Sequence, residues 1–398
     1  MSRPRVAIIA TTYFYPSHAY VFCTPMMEGY PWHGEHIDSR IEVAGMYLEQ
    51  VHPEDRGLEV AAQAGVPIFN SVAECLALGG TGVQVDGVVL IGEHGEYGEN
   101  TLGQVLYPRR RHFDSAVSAM IGAGKFVPIF TDKHFAWNTE DSFAMYDLAR
   151  RFEIPLLAGS SVPLSWRLPM GADWPYGAPM EAAVTVAFGG TESYGFHALE
   201  AMQSVVERRQ GGETGVRSVQ LLTGDAAQAA MADGRVDREL FEQALGAFRY
   251  DEVYKEAART YVRDVFLIEY TDGLRAAVVL CEYGIENFAV AARGGDVQLA
   301  CEMHLEPEPY RHALPLVRAI ETLMLDREEP WPVERTLLVS CVLDSAMHSR
   351  HAGGVVVETP RVEHLSYVAP EHIADAVLNE PTPADERPRD PLMPPVAV

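Results

Sequence analysis

The sequence predicts an α/β protein, with a Rossmann-type doubly wound parallel sheet followed by an α+β domain on an open, mostly antiparallel sheet. Three observations carry this. Short apolar runs alternate with helix-like stretches through the first half of the chain. Strands buried on both faces read as continuous apolar runs, and helical crossovers make such a sheet parallel. After a Gly-, Pro- and Trp-bearing stretch at Leu168–Pro179, strand-like runs come in series with few helices between them, the pattern of antiparallel pairing. The length, 398 residues, suits two domains better than one.

The first domain reads as strands at Val6–Thr12, Arg40–Leu48, Val66–Phe69, Gly87–Gly92, Val127–Thr131 and Pro155–Gly159. Helices are expected at Arg56–Ala64, Ser71–Leu78, Arg111–Ala123 and Thr139–Phe152. In the second domain Glu192–Arg209 reads as a helix, and Val216–Leu222, Val265–Tyr270, Arg275–Cys281 and Phe288–Ala292 as strands. Asp272-Gly273 marks a hairpin turn. Helices at Pro315–Leu325 and Val333–His348 are expected to return to the first domain or to pack on the sheet. The expected division is 1–170 for the Rossmann-type domain and 171–369 for the α+β domain. Residues 370–398, rich in Pro, Asp and Glu, are a tail with too little apolar surface to order itself.

Composition narrows the function. Against 31 basic residues stand 56 acidic ones, a net charge of -25. Phosphate-backbone binding needs a basic face, so nucleic acid is excluded as a partner. An anionic membrane surface is excluded on the same ground. The five cysteines form no Cys-x-x-Cys pair, which points to buried free thiols in a reducing compartment. With no signal-like segment and no apolar stretch long enough to span a bilayer, the expectation is a cytoplasmic protein acting on a small molecule. An open sheet with an apolar face predicts a homo-oligomer, assembled through residues 216–300.

In open α/β sheets ligands bind beyond the carboxyl ends of the strands, so the candidate site is read from the residues just past each strand. The first strand leads into Thr11-Thr12-Tyr13, with no glycine before Gly29. A dinucleotide cradle needs Gly-x-Gly-x-x-Gly here to let the backbone approach pyrophosphate. Thr11 and Thr12 remain the positions where a nucleotide would touch, and Glu49, at the second strand end, is where a ribose-binding carboxylate would sit. Ser17 reads as a helix N-cap with His18 in the first turn.

The fourth strand leads into Glu93-His94 and the fifth into Asp132-Lys133-His134. Imidazole beside carboxylate suits a divalent metal or acid/base work. A buried lysine serves as acid or base when its pKa is displaced. In the second domain His197 and Glu200 stand three apart on one helix face, a spacing that fits either metal ligation or a salt-bridged face. Arg109-Arg110-Arg111 reads as surface or as an anion clamp.

This layout resembles the glucose–fructose oxidoreductase and inositol dehydrogenase superfamily across residues 5–360. The features are a Rossmann domain, a strand-end lysine, the turn Gly159-Ser160-Ser161-Val162-Pro163, and a helix in which Gly195 precedes His197 before an open sheet. The resemblance implies that Asp132-Lys133-His134 matches the family's Glu-Lys-Pro, with Lys133 near substrate and cofactor and His197 beside the substrate. Departures are the missing glycines, His134 in place of proline, and the pair Glu93-His94. The leading expectation is therefore an enzyme without a conventional nicotinamide site. It would act on a polar, hydroxylated or carbonyl-bearing molecule by hydrolysis, elimination or isomerisation. Asp132, Lys133, His134 and His197 would be catalytic, and Glu93, His94, His134 and His197 would ligate a divalent metal such as Zn or Mn. The alternative is an NAD(P)-dependent oxidoreductase with an altered phosphate loop, touching its cofactor through Thr11, Thr12 and Glu49.

Overall fold

The computed structural model describes residues 3–306, 308–371 and 392–393. Of the tail, only 370–371 and 392–393 are among them, and the rest lies outside the described residues. The first half runs β1 (Arg5–Ala10), α1 (His18–Glu28), a small hairpin of β2 (Tyr30–Trp32) and β3 (Glu35–Ile37), β4 (Glu42–Leu48), α2 (Gly57–Ala64), β5 (Ile68–Phe69) and α3 (Val72–Ala77). It continues through β6 (Gly87–Ile91), α4 (Arg109–Ala123), β7 (Ile129–Asp132), α5 (Thr139–Arg151) and β8 (Leu156–Gly159). The six strands pair in parallel in the order β5-β4-β1-β6-β7-β8, the doubly wound order. Every residue of β6, β7 and β8 is buried, which is why these strands read as unbroken apolar runs.

The second half holds β9 (Trp166–Leu168), β10 (Ala182–Phe188), α6 (Ser193–Val206), β11 (Val216–Thr223), α7 (Asp225–Ala232), α8 (Arg238–Ala247) and α9 (Glu252–Thr260). Then come β12 (Val262–Tyr270), β13 (Arg275–Cys281), β14 (Phe288–Gly294), β15 (Val297–His304), α10 (Leu314–Asp326), α11 (Glu334–His351) and β16 (Val357–Glu358). The eight-stranded sheet runs β16-β11-β12-β13-β10-β14-β15-β9 and is antiparallel except where β10 lies along β13. The Asp272-Gly273 turn joins β12 to β13, with Gly273 at φ +92.

The two sheets meet in one continuous core. Val88, Leu90 and Ile129 of the first sheet belong to the same buried cluster as Phe196 and Met202 of α6, Leu338 and Val342 of α11, and Val278 and Val290 of the second sheet. The far face of the first sheet is covered by α1 and by α10, whose Leu316, Val317 and Ile320 pack with Val6, Ile8 and Phe130. Helix α10 thus returns to the first sheet although it lies within 171–369, and β9, before residue 170, already belongs to the second sheet. The face expected to stay open for a partner subunit is covered in part by the chain's own α7, α8 and α9, through Ala230, Leu240, Phe241, Leu245 and Ala258. Those helices, β10 and β15 are not among the elements expected from the sequence; β10 is buried along most of its length and shows no apolar/polar alternation. All five cysteines are buried with free thiols. No helix among the described residues is long and apolar enough to cross a membrane.

Candidate active site

Because β6 and β7 are parallel neighbours with Leu90 opposite Thr131, the loops leaving them emerge side by side. Two non-glycine residues adopt left-handed backbone there, His94 at φ +66 and Lys133 at φ +56. Such strain costs about 1–2 kcal/mol per residue and collects at functional sites. Ser17 caps α1, accepting a bond from the Tyr20 amide, and so points the first turn of α1 at the same sheet edge. His18 Nδ1 lies 2.9 and 3.1 Å from the two Asp132 carboxylate oxygens and 3.2 Å from Glu93 Oε2. Lys133 Nζ donates to Glu93 Oε1. Asp132, Lys133 and Glu93 are 1%, 4% and 5% exposed.

Buried charges persist only when they neutralise one another, and here two buried carboxylates face a buried ammonium and the half-buried imidazole of His18. Burial on its own would disfavour the imidazolium, but Asp132 and Glu93 outweigh it and raise the His18 pKa. Burial likewise opposes a charged Glu93, yet Lys133, His18 and Arg109 hold its carboxyl well below the usual range. His94 sits at the edge of the cluster, its ring 5.9 Å from that of His18. Burial lowers its pKa to about 4, so it is neutral at physiological pH.

The cluster forms one wall of a cavity of about 780 Å³ between the two sheets, lined also by Phe22, Phe188, Tyr194, His197, Tyr310 and His312. His197 faces His18 with ring centres 6.0 Å apart. Its Nδ1 is held 2.6 Å from Ser160 Oγ, which leaves Nε2 for the cavity. Burial, reinforced by Lys133 and His18, pushes its pKa well below the usual histidine value. Glu200 does not pair with His197. It accepts from Thr336 Oγ1 at 2.7 Å and approaches the Ser160 amide at 3.4 Å, and burial raises its pKa to about 7. Glu200 therefore positions the turn that holds His197.

His134 does not line this cavity. Its Nε2 accepts from Arg109 Nη1 at 3.1 Å, and its ring packs on Phe196. It faces a second chamber, of about 300 Å³, behind the Lys133–Glu93 pair. Burial, with Arg109 adding to it, drives the His134 pKa well down. Lys133 and Glu93 line both chambers, whereas His94 and His197 line only the first and His134 only the second. The expected metal ligands are not brought together. The described group with metal-ligand spacing is His18, Glu93 and Asp132, whose ligand atoms lie within 4.8 Å of one another, and within it Lys133 already occupies one oxygen of Glu93.

Of the residues expected to touch a nucleotide, Thr11 and Glu49 are engaged elsewhere, while Thr12 Oγ1 is buried without a hydrogen-bond partner among the described residues. Thr11 Oγ1 donates to the Glu93 carbonyl at 2.6 Å, and Thr11 and Thr12 are buried. A Cβ on Gly95 would stand 3.0 Å from Gln50 Oε1 and 3.3 Å from Thr12 Cγ2. The loop after β6 thus packs directly on the end of β1, and the Glu96 amide donates to Gln50 Oε1 at 2.8 Å. Glu49 pairs with Arg111 and His112; against the effect of burial, these partners lower its pKa to about 2. With side chains at Thr11, Thr12 and Tyr13 and the Gly95 loop packed against Thr12, the end of β1 lacks the bare backbone of a conventional nicotinamide cradle.

Sequence reasoning places His18 in a capped first turn and reads Arg109 as surface or an anion clamp without assigning either to the site, and it leaves Glu192 out. The Ser17 cap is a usable signal for His18, because a capped helix start after β1 aims at the strand ends. Arg109 is hidden in a basic run, and Glu192 comes near the cluster only because the second sheet docks on the first.

The sequence matches no protein-family model and no curated protein. The fold does match solved structures. GenD2 from gentamicin A biosynthesis, solved in complex with NAD, superposes with a TM-score of 0.58 at 15% identity, covering 90% of this chain and 97% of that one. Scyllo-inositol dehydrogenase from Lactobacillus casei gives 0.55 at 11% identity, covering 90% and 100%. UDP-N-acetylglucosamine 3-dehydrogenase GnnA from Acidithiobacillus ferrooxidans gives 0.52 at 14%, covering 89% and 99%. The chain therefore has the two-domain fold of the sugar and inositol dehydrogenases it was expected to resemble.

Proposed function

We propose that the chain is an enzyme that moves a proton on a polar, hydroxylated small molecule bound in the larger cavity, by elimination or isomerisation beside a carbonyl. The observation that carries this is the buried Lys133–Glu93–His18–Asp132 cluster facing a neutral His197. Lys133 and His18, held in place by Glu93 and Asp132, present cationic N–H groups where an enolate oxygen would develop, and such preorganised donors stabilise it. His197, its pKa lowered by burial, offers Nε2 as the base. A positioned acid or base contributes about 10²–10⁴-fold. The test is solvent deuterium exchange into hydroxy-ketone and hydroxy-aldehyde sugars, followed by NMR. The wild type should exchange a proton beside the carbonyl, and His197→Gln and Lys133→Met should each slow this at least about 100-fold. Exchange that survives both substitutions would refute the roles.

A second reading, an NAD(P)-dependent oxidoreductase, draws its support from GenD2, solved with NAD on the same fold. For this chain it requires the loop at Gly95 to lift from Thr12 and Gln50. Titration with NADH and NADPH, read by fluorescence, separates the two readings. Saturation at micromolar cofactor would favour the oxidoreductase and displace the first reading.

A further inference from the structure

The second chamber carries an unassigned feature. Arg109, the first residue of α4, is 0% exposed. Its Nη1 donates to His134, but its Nε and Nη2 are buried with no hydrogen-bond partner among the described residues. Those two nitrogens form one edge of the guanidinium, the fork that meets a planar oxyanion with two parallel bonds. A buried donor left unmade costs about 1–3 kcal/mol, more when charged, so two on one guanidinium mark a place kept for a ligand. Tyr107 lies under the guanidinium, 4.9 Å from ring centre to Cζ, and fixes its plane. The N-terminal turn of α6, through Gly190, Thr191 and Ser193, lines the same chamber and adds the positive end of a helix dipole.

The chamber also has acidic groups. Glu93 is neutralised by Lys133 and His18, and Glu99 is exposed at the rim near Arg350. Glu192 accepts from the Val105 amide at 3.0 Å through Oε2, while its Oε1 is buried without a hydrogen-bond partner, 4.0 Å from His134 Nε2. Burial raises the Glu192 pKa. A free acceptor beside a free bidentate donor matches a ligand bearing an oxyanion with a hydroxyl next to it.

We infer that the second chamber binds an oxyanion end group, a carboxylate or a phosphate, of a hydroxylated substrate whose reacting carbon lies across the Lys133–Glu93 pair in the larger cavity. This rests on the proposed function for the location of the reacting carbon. Arg109 is then a specificity residue: it holds the substrate end and takes no part in proton transfer.

Calorimetric titration of the full chain at pH 8 with gluconate, glucose 6-phosphate and sorbitol tests the assignment. At least one of the two anions should bind more tightly than sorbitol, and which one does identifies the end group. Arg109→Lys keeps the charge but loses the fork, and should weaken the preferred anion at least about tenfold with sorbitol unchanged. Should Arg109→Lys fail to fold, Glu192→Gln keeps an acceptor and removes the facing charge, and should tighten that anion severalfold. Sorbitol binding as well as both anions, or anion binding indifferent to both substitutions, overturns the chamber assignment and leaves the proposed reaction standing. Conversely, Arg109-dependent anion binding in a protein whose proton exchange is untouched by Lys133→Met removes the reaction and keeps the chamber. Failure of all three ligands to bind overturns the chamber assignment, and the proposed reaction then stands or falls on deuterium exchange alone.

Discussion

Replacing Lys133 by Met exposes how the cluster is held together. In the wild type Lys133 Nζ bonds Glu93 Oε1, with the two side chains 5% and 6% exposed. Removing one partner of a buried ion pair costs about 3–5 kcal/mol, because the other charge stays buried and uncompensated. Here the lower end applies, since His18 still faces Glu93 Oε2 at 3.2 Å. His18 is shared with Asp132 at 2.9 Å, so it cannot replace the ammonium in full. A loss of about 3 kcal/mol corresponds to a melting temperature lower by about 6–12 °C, at about 2–4 °C per kcal/mol for a chain above 150 residues. The sign with pH follows from Glu93. Freed of Lys133, its folded pKa rises above the unfolded value, so the deficit is full above that folded pKa and shrinks as pH falls and the carboxyl protonates. The assay is urea unfolding of wild type and variant at pH 8 and pH 5. The gap should narrow at pH 5, and Glu93→Gln added to Lys133→Met should recover most of it without restoring turnover. A gap below about 1 kcal/mol, or one that does not change with pH, would refute a charge-balanced cluster.

His94, His134, His197 and His312 all have folded pKa values lowered by burial, His94 and His312 to about 4. The unfolded chain then binds more protons below its pKa of about 6.5, so stability should fall as pH drops from about 6.5 towards 4; a melting temperature flat across that window would contradict their burial as neutral rings. Because Lys133 and His18 already balance Glu93 and Asp132, dialysis against EDTA should leave proton exchange unchanged, and a loss restored by Zn or Mn would instead place a metal among His18, Glu93 and Asp132. Leu392 accepts the Gly284 amide at 2.9 Å through its carbonyl and lines the larger cavity, so a chain ending at Glu371 should keep its melting temperature within about 2 °C yet bind its ligands with altered affinity; unaltered affinity would show that Leu392 does not shape the cavity.

The parallel sheet was legible because β6, β7 and β8 are buried on both faces, and the strand-end rule then located Glu93, Asp132 and Lys133 from sequence alone. What each histidine does was not legible. His134 comes directly after Lys133, yet the left-handed turn at Lys133 sends the two side chains towards different partners, Glu93 and Arg109. Sequence adjacency carries no information about such a turn when the residue in it is not glycine. His197 and Glu200 stand on one helix face, but the turn at Gly159 and Ser160 inserts beside them and takes one bond from each. The separation of α10 from the sheet that precedes it in sequence was likewise invisible, because an amphipathic helix shows that it has a buried face and does not show against which sheet.

The missing glycines now have a physical reading. In this fold the end of β1 is bare only if the residues beyond it have no side chain to bury. Thr11, Thr12 and Tyr13 each have one, and each is buried. Tyr13 is covered by α1 and α2, through Thr24 and Gly57, and the loop after β6 covers the two threonines, with Thr11 bonded to the Glu93 carbonyl and Gly95 packed against Thr12. The same loop carries Glu93 and His94 into the site. The loop that packs on Thr12 and Gln50 is also the loop that begins with Glu93, so moving it is expected to disturb the bond from Lys133 to Glu93. Thr12→Gly with Gln50→Ala, which removes the groups that Gly95 packs against, should weaken proton exchange even if it creates affinity for NADH. Proton exchange at wild-type rate in a variant that has gained NADH binding would break this coupling.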